Sequence, residues 1–368
     1  MSSSDNVMFL YCDEERNLQT CPRQAHVGLW YEKFSNRWTK KNGKWKLKKQ
    51  AWIQTVTRNK VGDREQINEA IKRLQCLVEQ LNGRVLYMKT TERFVTGLGR
   101  SHPVENGFVW HATLGTAFLP GSSVKGVVRA WAEQWAETVD SDSINRIFGC
   151  EEKGNHHVGN MIFFDAIPVT PVQLEMEIMT PHYAGYYENP LKPVQDRNKP
   201  NPIPYLTVAS NQTFLFSFAP RGQAQADDVQ LVEKWLIEAL EWVGAGAKTA
   251  VGYGRFTKDE QKQQIYLTWR EEKRREEEKR AALASMSPIK REMMEDGYDH
   301  QQLERFMAAM TDKWLPRLED SNESPFVKVE IAEHLRDWYL MYRPNSWSKP
   351  NKKNKPKVEL IKQILSLT

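Results

Sequence analysis

The sequence is poor in cysteine and has no long apolar run, and each absence excludes a class of protein. Its four cysteines, Cys12, Cys21, Cys76 and Cys150, lie far apart and form no CxxC pair. This pattern excludes a disulfide-rich secreted domain and indicates reduced thiols. No stretch approaches the roughly 18 apolar residues of a membrane-spanning helix, and MSSSDNVMFL lacks the charged-then-apolar pattern of a signal peptide. We therefore expect a cytoplasmic protein.

Metal and nuclease motifs are also missing. Cys150, His156 and His157 have no evident fourth partner, so we expect no metal site and no cofactor. RNA cleavage would need clustered carboxylates around a metal or two well-placed acid–base groups. Asp165 has no acidic neighbour in FFDAIP and is better explained as a turn residue at a strand end, which leaves His182 as an isolated acid–base group. We expect no enzyme activity.

The stretch GAGAKTAVGYGRF, residues 244–256, combines four glycines with two cationic side chains and a tyrosine. Its glycines can adopt positive φ or admit close backbone contact, and they surround cationic side chains that suit a phosphate-bearing partner. A simple tight turn, whose glycines only permit packing, is the alternative. The apolar spacing predicts a helix over 227–243 with Asp227 or Asp228 as N-cap and Gly244 as the stop, followed by a short strand around 249–256.

This order excludes a Walker A loop. That loop needs GxxxxGK[ST] after a strand and before a helix, so that the helix N-terminus faces the nucleotide phosphates. Here Ala247 precedes Lys248-Thr249, no glycine occupies position 242, and the helix comes before the loop. A nucleotide-hydrolysing site is therefore not expected.

Positive charge concentrates at the two ends of the chain, although the net charge is only +5. Between Tyr31 and Lys60 there are ten basic residues and one acid, interleaved with Trp38, Trp45 and Trp52. Basic side chains can neutralise phosphates while indole rings stack on unpaired bases, which favours single-stranded nucleic acid. A solvated hairpin or insertion whose tryptophans pack inward or on a neighbouring subunit explains the segment equally well.

The order of elements predicts an α+β fold. Residues 1–60 look extended and irregular, a helix follows over 65–81, and 84–94 reads as a strand. The turn-rich segment 97–107 should lead away from the core, with Arg100 and His102 exposed. Further strands are predicted at 161–169, 174–180, 205–210 and 213–220. This is the order of a ferredoxin-like (RRM-like) unit elaborated by insertions, and a sheet with one open face is a common platform for RNA.

A second helix is predicted over 124–139, capped by Ser122 or Ser123. Val124, Val127, Val128, Trp131 and Trp135 should face inward, while Lys125 and Arg129 share the other side. Two cations in the first helical turns oppose the helix dipole, a cost that a bound phosphate would relieve. In strand 174–180, Leu174, Met176 and Ile178 should face the core, with Glu175 and Glu177 toward water.

The last third of the chain is helical in pattern. Residues 265–286 form a charged helix with opposite charges three and four apart, and 302–318, 326–342 and 357–367 read as amphipathic helices of a small bundle. A basic, proline-broken linker occupies 343–357. The predicted domains are a basic N-terminal segment with the first helix (1–83), the core with the glycine-rich loop (84–257), a helical connector (258–286) and a helical extension (287–368). The extension is expected either to dock on a partner protein or to cap the core.

Four motifs together resemble the RAMP superfamily of CRISPR type III effectors: LPGSSVKGVVRA (119–130), FFDAIP (163–168), IMTPHYAGYY (178–187) and GAGAKTAVGYGRF (244–256). Among its branches, the chain is most similar to the sixth subunit of the type III-B, or Cmr, complex. The resemblance covers roughly 84–257. It implies a non-catalytic, RNA-binding subunit in antiviral defence, placed at the 3′ end of the guide RNA and capping the backbone filament.

The resemblance also implies which residues contact RNA and which proteins flank the chain. Guide-binding residues map onto Ser122, Ser123, Lys125, Arg129, Gly244, Gly246, Lys248, Thr249, Gly252, Tyr253, Gly254 and Arg255. A thumb that splays the guide–target duplex maps onto His182, Tyr183, Tyr186 and Tyr187, followed by a proline-rich excursion to residue 204. The implied partners are guide RNA, target RNA, the repeating backbone RAMP subunits, the small helical subunit and the first Cmr subunit. A RAMP-type endoribonuclease and a stand-alone single-stranded RNA-binding protein are the alternatives.

Overall fold

The structure is a computed structural model. It describes residues 21, 25–136, 141–150, 156–180, 201–222, 226–299 and 301–366. The chain divides into two compact units, Met1–Ile265 and Tyr266–Thr368. Across the described ranges, no helix combines the length and the apolar character needed to cross a membrane.

The described part of the first unit begins with short elements where the sequence predicted irregular chain. They are α1 (Val27–Lys33), β1 (Trp38–Lys41), β2 (Lys44–Leu47) and α2 (Lys49–Thr57). The prediction of an irregular segment is therefore wrong for residues 25–60. The His26 ring caps α1 by accepting a hydrogen bond from Leu29 N at 2.9 Å, and α2 buries Trp52 and Ile53. Elements of four to nine residues are too short to show a period among so many lysines.

The helix predicted over 65–81 is confirmed as α3 (Arg64–Gln80). Asp63 caps its N-terminus by accepting a hydrogen bond from Gln66 N at 2.9 Å. Asn82 then takes a φ of 55°, which reverses the chain into the first core strand.

A mixed helix-and-sheet arrangement forms the centre of this unit. Its strands are β3 (Arg84–Thr90), β8 (Met161–Phe163), β9 (Ile167–Pro168), β12 (Thr213–Pro220) and β13 (Phe256–Lys258). They form an antiparallel sheet with the order β13–β3–β12–β8, and β9 also pairs with β12. Helix α4 (Gly121–Gln134) connects β3 with β8, and α6 (Ala226–Glu238) connects β12 with β13.

Both faces of the two central strands are buried, so the expectation of an open sheet face is wrong. Alternate β12 residues Phe214, Phe216 and Phe218 lie in the core cluster that includes side chains of α4 and α6. The opposite face meets α3, where Gln75 Nε2 donates to the Tyr87 hydroxyl at 2.7 Å. Any RNA contact of this unit must therefore use its loops, edges or helices.

Smaller elements surround this sheet. They are β4 (Ser101–His102), β5 (Glu105–Asn106), α5 (Ser141–Phe148), β6 (Gly149–Cys150), β7 (His157–Val158), β10 (Leu174–Met179) and β11 (Ile203–Val208). β10 and β11 pair in a sheet of their own. His102 is half-buried, not exposed as predicted, because its ring stacks on Tyr31 with centroids 4.6 Å apart. Ile178, predicted to face the core, is 43% exposed at the end of β10.

The start of α4 differs from the sequence prediction. The helix begins at Gly121, and neither Ser122 nor Ser123 caps it. Instead Gly121 N donates to Asp165 Oδ1 at 2.7 Å, so a residue 44 positions away supplies the cap. The turn that places Asp165 there also divides the predicted strand 161–169 into β8 and β9. Trp135, predicted to face inward, is 62% exposed and stacks on Trp131.

The second unit is helical. Beyond α7 (Glu260–Ser285), which spans the division between the units, it contains α8 (Pro288–Glu295), α9 (Leu303–Ala309), a π-helical turn (Met310–Trp314), α10 (Leu315–Glu319), α11 (Pro325–Tyr342), α12 (Pro344–Ser348) and α13 (Lys355–Ser366). The predicted helices are confirmed with shifted bounds, and the predicted linker contains the short α12. Trp314, Trp338 and Tyr339 are fully buried at the centre of this bundle.

Candidate nucleic-acid interface

The glycine-rich loop follows an irregular helix end. Helix α6 passes into a π-helical turn, Ala239–Val243, which ends where Gly244 takes a φ of 80° and donates its N–H to Ala239 O at 2.8 Å. Gly244 is thus the stop that the sequence predicted. The predicted N-caps are wrong, because Asp227 and Asp228 lie inside the first turn of α6. Asp228 is instead buried and accepts two hydrogen bonds from Arg146, at 2.8 and 3.1 Å.

Three glycines clamp the base of the loop. A Cβ on Gly254 would lie 1.9 Å from Ala245 O, one on Gly246 would lie 2.2 Å from Val95 O, and one on Gly244 would lie 2.9 Å from Gly254 O. The same backbone segments are joined by hydrogen bonds of 2.8 Å, from Ala245 N to Gly254 O and from Ala247 N to Val95 O. These glycines therefore have the packing role that was the simpler alternative for the stretch.

The tip of the loop, residues 248–253, is different in character. Gly252 has a φ of 97°, a Cβ added there would meet no atom within 4 Å, and Val251 is 69% exposed. The strand predicted around 249–256 is wrong in extent, because Thr249–Val251 form a 3₁₀ turn and β13 begins at Phe256. Lys248 takes a φ of 61°, a left-handed conformation that costs a residue with a side chain about 1–2 kcal/mol.

The Lys248 side chain lies on the ring of Tyr205, which is itself hydrogen-bonded to Tyr253. Its Nζ lies 5.3 Å from the centroid of the Tyr205 ring, within the range of a cation–π interaction. Tyr205 is 1% exposed, and its hydroxyl donates to the Tyr253 hydroxyl at 3.2 Å. Burial raises the pKa of Tyr205, and the bond to Tyr253 adds to this effect. The loop therefore presents an ammonium group on a fixed aromatic support.

An ion-paired arginine lies beside this support. Arg93 Nε binds Glu175 Oε2 at 2.7 Å, and its Nη1 binds Glu177. The bond to Glu175 is the main reason why the pKa of Arg93 lies above its ordinary value. Glu177 is opposite Tyr205 in the β10–β11 pair, so these side chains share a face of that small sheet. Arg93, Tyr253 and other residues line an open cleft of about 710 Å³.

Sequence reasoning missed Arg93 and Tyr205 as members of the site. The alternation in β10 indicated that Glu175 and Glu177 lie on one face, and the structure agrees with that part. Their partner Arg93 is more than 80 residues away in sequence, and no local pattern indicates the pair. The cross-strand contact of Tyr205 likewise depends on the register of β11.

The other predicted RNA-binding residues lie on α4. Ser122 and Ser123 are exposed in its first turn, while Lys125 and Arg129 are half-buried. Arg129 Nε pairs with Glu133 at 2.6 Å, so its charge is partly balanced. The helix packs against α6 and the π-helical turn that leads into the glycine loop, and Trp131 Nε1 donates to Glu238 Oε2 at 3.0 Å. Both predicted groups of RNA-binding residues are therefore attached to one helix pair.

Two other groups of residues were candidates from the sequence, the thumb and a possible metal site. The predicted thumb residues His182, Tyr183, Tyr186 and Tyr187 lie outside the described residues. Cys150 is buried opposite His157 in the β6–β7 pair, and a ring nitrogen of His157 lies 2.9 Å from Asn145 O. Within the part of the chain that the structure describes, no three His, Cys, Asp or Glu side chains are grouped as a metal site.

Comparison with known proteins finds matches to one superfamily and to two subunits of CRISPR systems. The model of the RAMP superfamily matches residues 87–257. CRISPR system Cmr subunit Cmr6 of Pyrococcus furiosus is 30% identical over 230 residues, which cover 45% of this chain and 65% of that protein. CRISPR system CMR subunit Cmr6 of Saccharolobus solfataricus is 26% identical over 220 residues, covering 57% and 70%. A chain in a cryo-EM structure of the type III-B Cmr-beta complex bound to cognate target RNA is 25% identical with a TM-score of 0.48, covering 57% of this chain and 70% of that one.

The matched segment lies within the first unit and includes the clamped glycine loop and α4. It begins inside β3 and ends inside β13, so it contains the central sheet described above. The alignment spans about 65% of the length of the Pyrococcus furiosus relative, and both ends of the present chain lie outside the family match. Residues 87–257 of this chain therefore resemble the RAMP superfamily, and the chain is similar to Cmr6 subunits of CRISPR systems.

Proposed function

We propose that this chain is a non-catalytic RNA-binding subunit of a type III-B CRISPR (Cmr) effector complex. In this proposal it holds the 3′ part of the guide RNA and caps the backbone filament, next to the repeating backbone RAMP subunits, the small helical subunit and the first Cmr subunit. The family match over 87–257 and the similarity to two proteins named Cmr6 support this role.

The topology of the central sheet supports a ferredoxin-like RAMP core with insertions. Taken in chain order as β3, α4, β8, β12, α6 and β13, the elements follow the pattern β-α-β-β-α-β. In the sheet the strands have the order fourth, first, third, second, and the described pairs are antiparallel. The remaining strands of this unit then correspond to insertions and an N-terminal extension around that core.

The observation that carries the RNA-binding role is the geometry of the loop tip. The base of the loop is clamped by backbone contacts at Gly246 and Gly254, while the tip is open and places Lys248 on Tyr205. An ammonium group on a fixed support suits a phosphate, because little side-chain freedom remains to be lost on binding. Thr249, Tyr253 and Arg255 add a hydroxyl, a ring and a second cation to the same short segment.

The arrangement of carboxylates supports a non-catalytic role. Asp165, the acidic residue weighed for nuclease activity, caps α4 through Gly121 N at 2.7 Å. Glu175 and Glu177, the carboxylates beside the loop, are paired with Arg93. Each of these carboxylates therefore has a structural partner, whereas a general base for RNA cleavage would have to reach a ribose hydroxyl.

Reconstitution of the complex with charge-reversed subunits tests the proposal. Lys248→Glu combined with Lys125→Glu should weaken guide-RNA capture by about tenfold or more at physiological salt, because phosphate contacts become repulsive. The control reverses two exposed lysines on other helices, Lys72→Glu with Lys279→Glu, which should leave capture unchanged. Equal capture by both double variants would refute the role of the loop.

Labelled guide and target RNA, incubated with and without divalent metal, separate the alternative functions. The proposal expects RNA retention without cleavage. Cleavage that disappears in the Asp165→Ala protein would favour an endoribonuclease instead. Tight binding of single-stranded RNA by a chain that does not join the other Cmr subunits would favour a stand-alone RNA-binding protein.

A further inference from the structure

The N-terminal hairpin is a fixed ribbon that lies outside the family match. β1 and β2 are joined by Asn42 and Gly43, whose φ angles of 51° and 75° are those of a two-residue type I′ turn. At the base, Trp38 Nε1 donates to Ser35 O at 3.0 Å, and Leu47 is 5% exposed. The base is thus anchored in the first unit, while the tip is exposed.

The three tryptophans of this segment, which the sequence could not distinguish, differ in how far they are exposed. Trp52 is fully buried in the core, whereas Trp45 is 48% exposed near the tip. Lys40 is opposite Trp45 in the strand register, and its Nζ lies 5.6 Å from the indole centroid. One face of the ribbon therefore carries an exposed aromatic ring with a cation above it.

The exposed lysines of the ribbon form no ion pair with the part of the chain that the structure describes. Lys44 and Lys46 lie on β2, two residues and therefore about 6.8 Å apart, on the face opposite Trp45. Among the described residues, no carboxylate is within ion-pair distance of Lys40, Lys44 or Lys46. Lys49, beyond the end of β2, is paired with Glu105. Unbalanced cations spaced along a strand suit a polyanion.

Protection of an exposed strand edge is the alternative explanation for such lysines. It does not account for Trp45, because a half-exposed indole on a free edge promotes the association that edge lysines prevent. A nucleic acid accounts for both features, since bases stack on aromatic rings while phosphates meet cations.

We propose that the β1–β2 hairpin is a second RNA-binding surface of this chain. It stacks an unpaired base on Trp45 next to Lys40 on one face, while Lys44 and Lys46 on the opposite face neutralise phosphates of the strand where it passes around the ribbon. Its ligand is single-stranded RNA, because the bases of a duplex are not free to stack. The hairpin shares no residue with the glycine loop, so the inference does not depend on the proposed role of that loop.

Fluorescence anisotropy of the full-length chain with a labelled 20-nucleotide oligouridine tests the inference over a range of salt concentrations. Trp45→Ala should weaken binding about tenfold and leave the salt dependence unchanged, because stacking is lost and charge is kept. Lys44→Gln with Lys46→Gln should lower the magnitude of the slope of log K against log salt by about 1.4, since each phosphate contact contributes roughly 0.7 for a single strand. Trp269→Ala is the matched control, because Trp269 is also exposed under a lysine, Lys273, but lies in the charged helix α7.

The inference is overturned if the wild-type chain shows no binding to the oligomer at low salt. It is also overturned if the hairpin variants bind like the Trp269→Ala control, or if they keep RNA affinity and lose only attachment to a Cmr protein subunit. If Trp45→Ala weakened the binding of duplex RNA as much as it weakened the binding of oligouridine, the stacking role of Trp45 would be contradicted. The Lys248→Glu variant, measured alongside, reports on the loop separately.

Discussion

Gly254→Ala should destabilise the first unit far more than Gly252→Ala, although both glycines have positive φ. A Cβ at position 254 would lie 1.9 Å from Ala245 O, whereas position 252 has no atom within 4 Å. Both substitutions incur left-handed strain of roughly 1–2 kcal/mol. Only the change at 254 also disrupts hydrogen bonds, from Ala245 N at 2.8 Å and to Arg93 O at 2.7 Å, each of which contributes about 1 kcal/mol.

The expected total is therefore about 3–4 kcal/mol at position 254 and about 1–2 kcal/mol at position 252. Scanning calorimetry should show a larger fall in Tm for Gly254→Ala, by roughly 4–8 °C more than for Gly252→Ala. Hydrogen exchange should accelerate in peptides covering 91–97 and 244–258 only in the Gly254→Ala protein, because the clamp joins these segments. Equal effects of the two substitutions would refute the role of close backbone contact in the loop.

Two further predictions concern charged side chains. Asp228→Asn should lower the free energy of unfolding, measured in urea, by about 3 kcal/mol, because it removes a buried carboxylate bound by Arg146. A decrease of less than about 0.5 kcal/mol would contradict this prediction. In the second unit, burial raises the pKa of Glu292, but bonds from Lys313 and Arg317 outweigh burial and leave this pKa below its ordinary value. The resulting stabilisation is complete above the unfolded-state pKa of about 4.3, and it is lost as pH falls through the lower folded-state pKa. Between about pH 6 and 3, the Tm of the Glu292→Gln protein should therefore fall less steeply with acid than the Tm of the wild-type protein. Identical profiles of Tm against pH would contradict the prediction.

Local signals in the sequence were sufficient where an element carries its own period and its own boundaries. Helix α3 shows an apolar stripe between Asp63 and Asn82, and both ends agree with the structure to within one residue. The strand 213–220 is confirmed with the same bounds, because its apolar run is bordered by turn residues. The order of these elements along the chain was enough to predict a mixed helix-and-sheet fold.

Contacts between distant segments were not accessible in the same way. The cap of α4 comes from Asp165, although two serines occupy the positions where caps usually occur. Arg93 meets Glu175 and Glu177 only because the small β10–β11 sheet approaches the end of β3. The covered second face of the central sheet likewise depends on α3, whose position relative to the strands no periodicity reveals.

The site residues divide by physical role, and this division decides which substitutions are informative. The left-handed conformation of Lys248 costs about 1–2 kcal/mol, and a cation–π contact with Tyr205 returns about 0.5–1 kcal/mol. A substitution that keeps a Cβ at position 248 retains this strain and loses only the cation–π contact, so it should lower stability by less than about 1 kcal/mol and alter phosphate binding strongly. Gly246 and Gly254 have the opposite character, because their contacts lie within the protein. A loss of RNA binding in a glycine variant therefore reports on folding of the loop, whereas the same loss in a lysine variant reports on the interface itself.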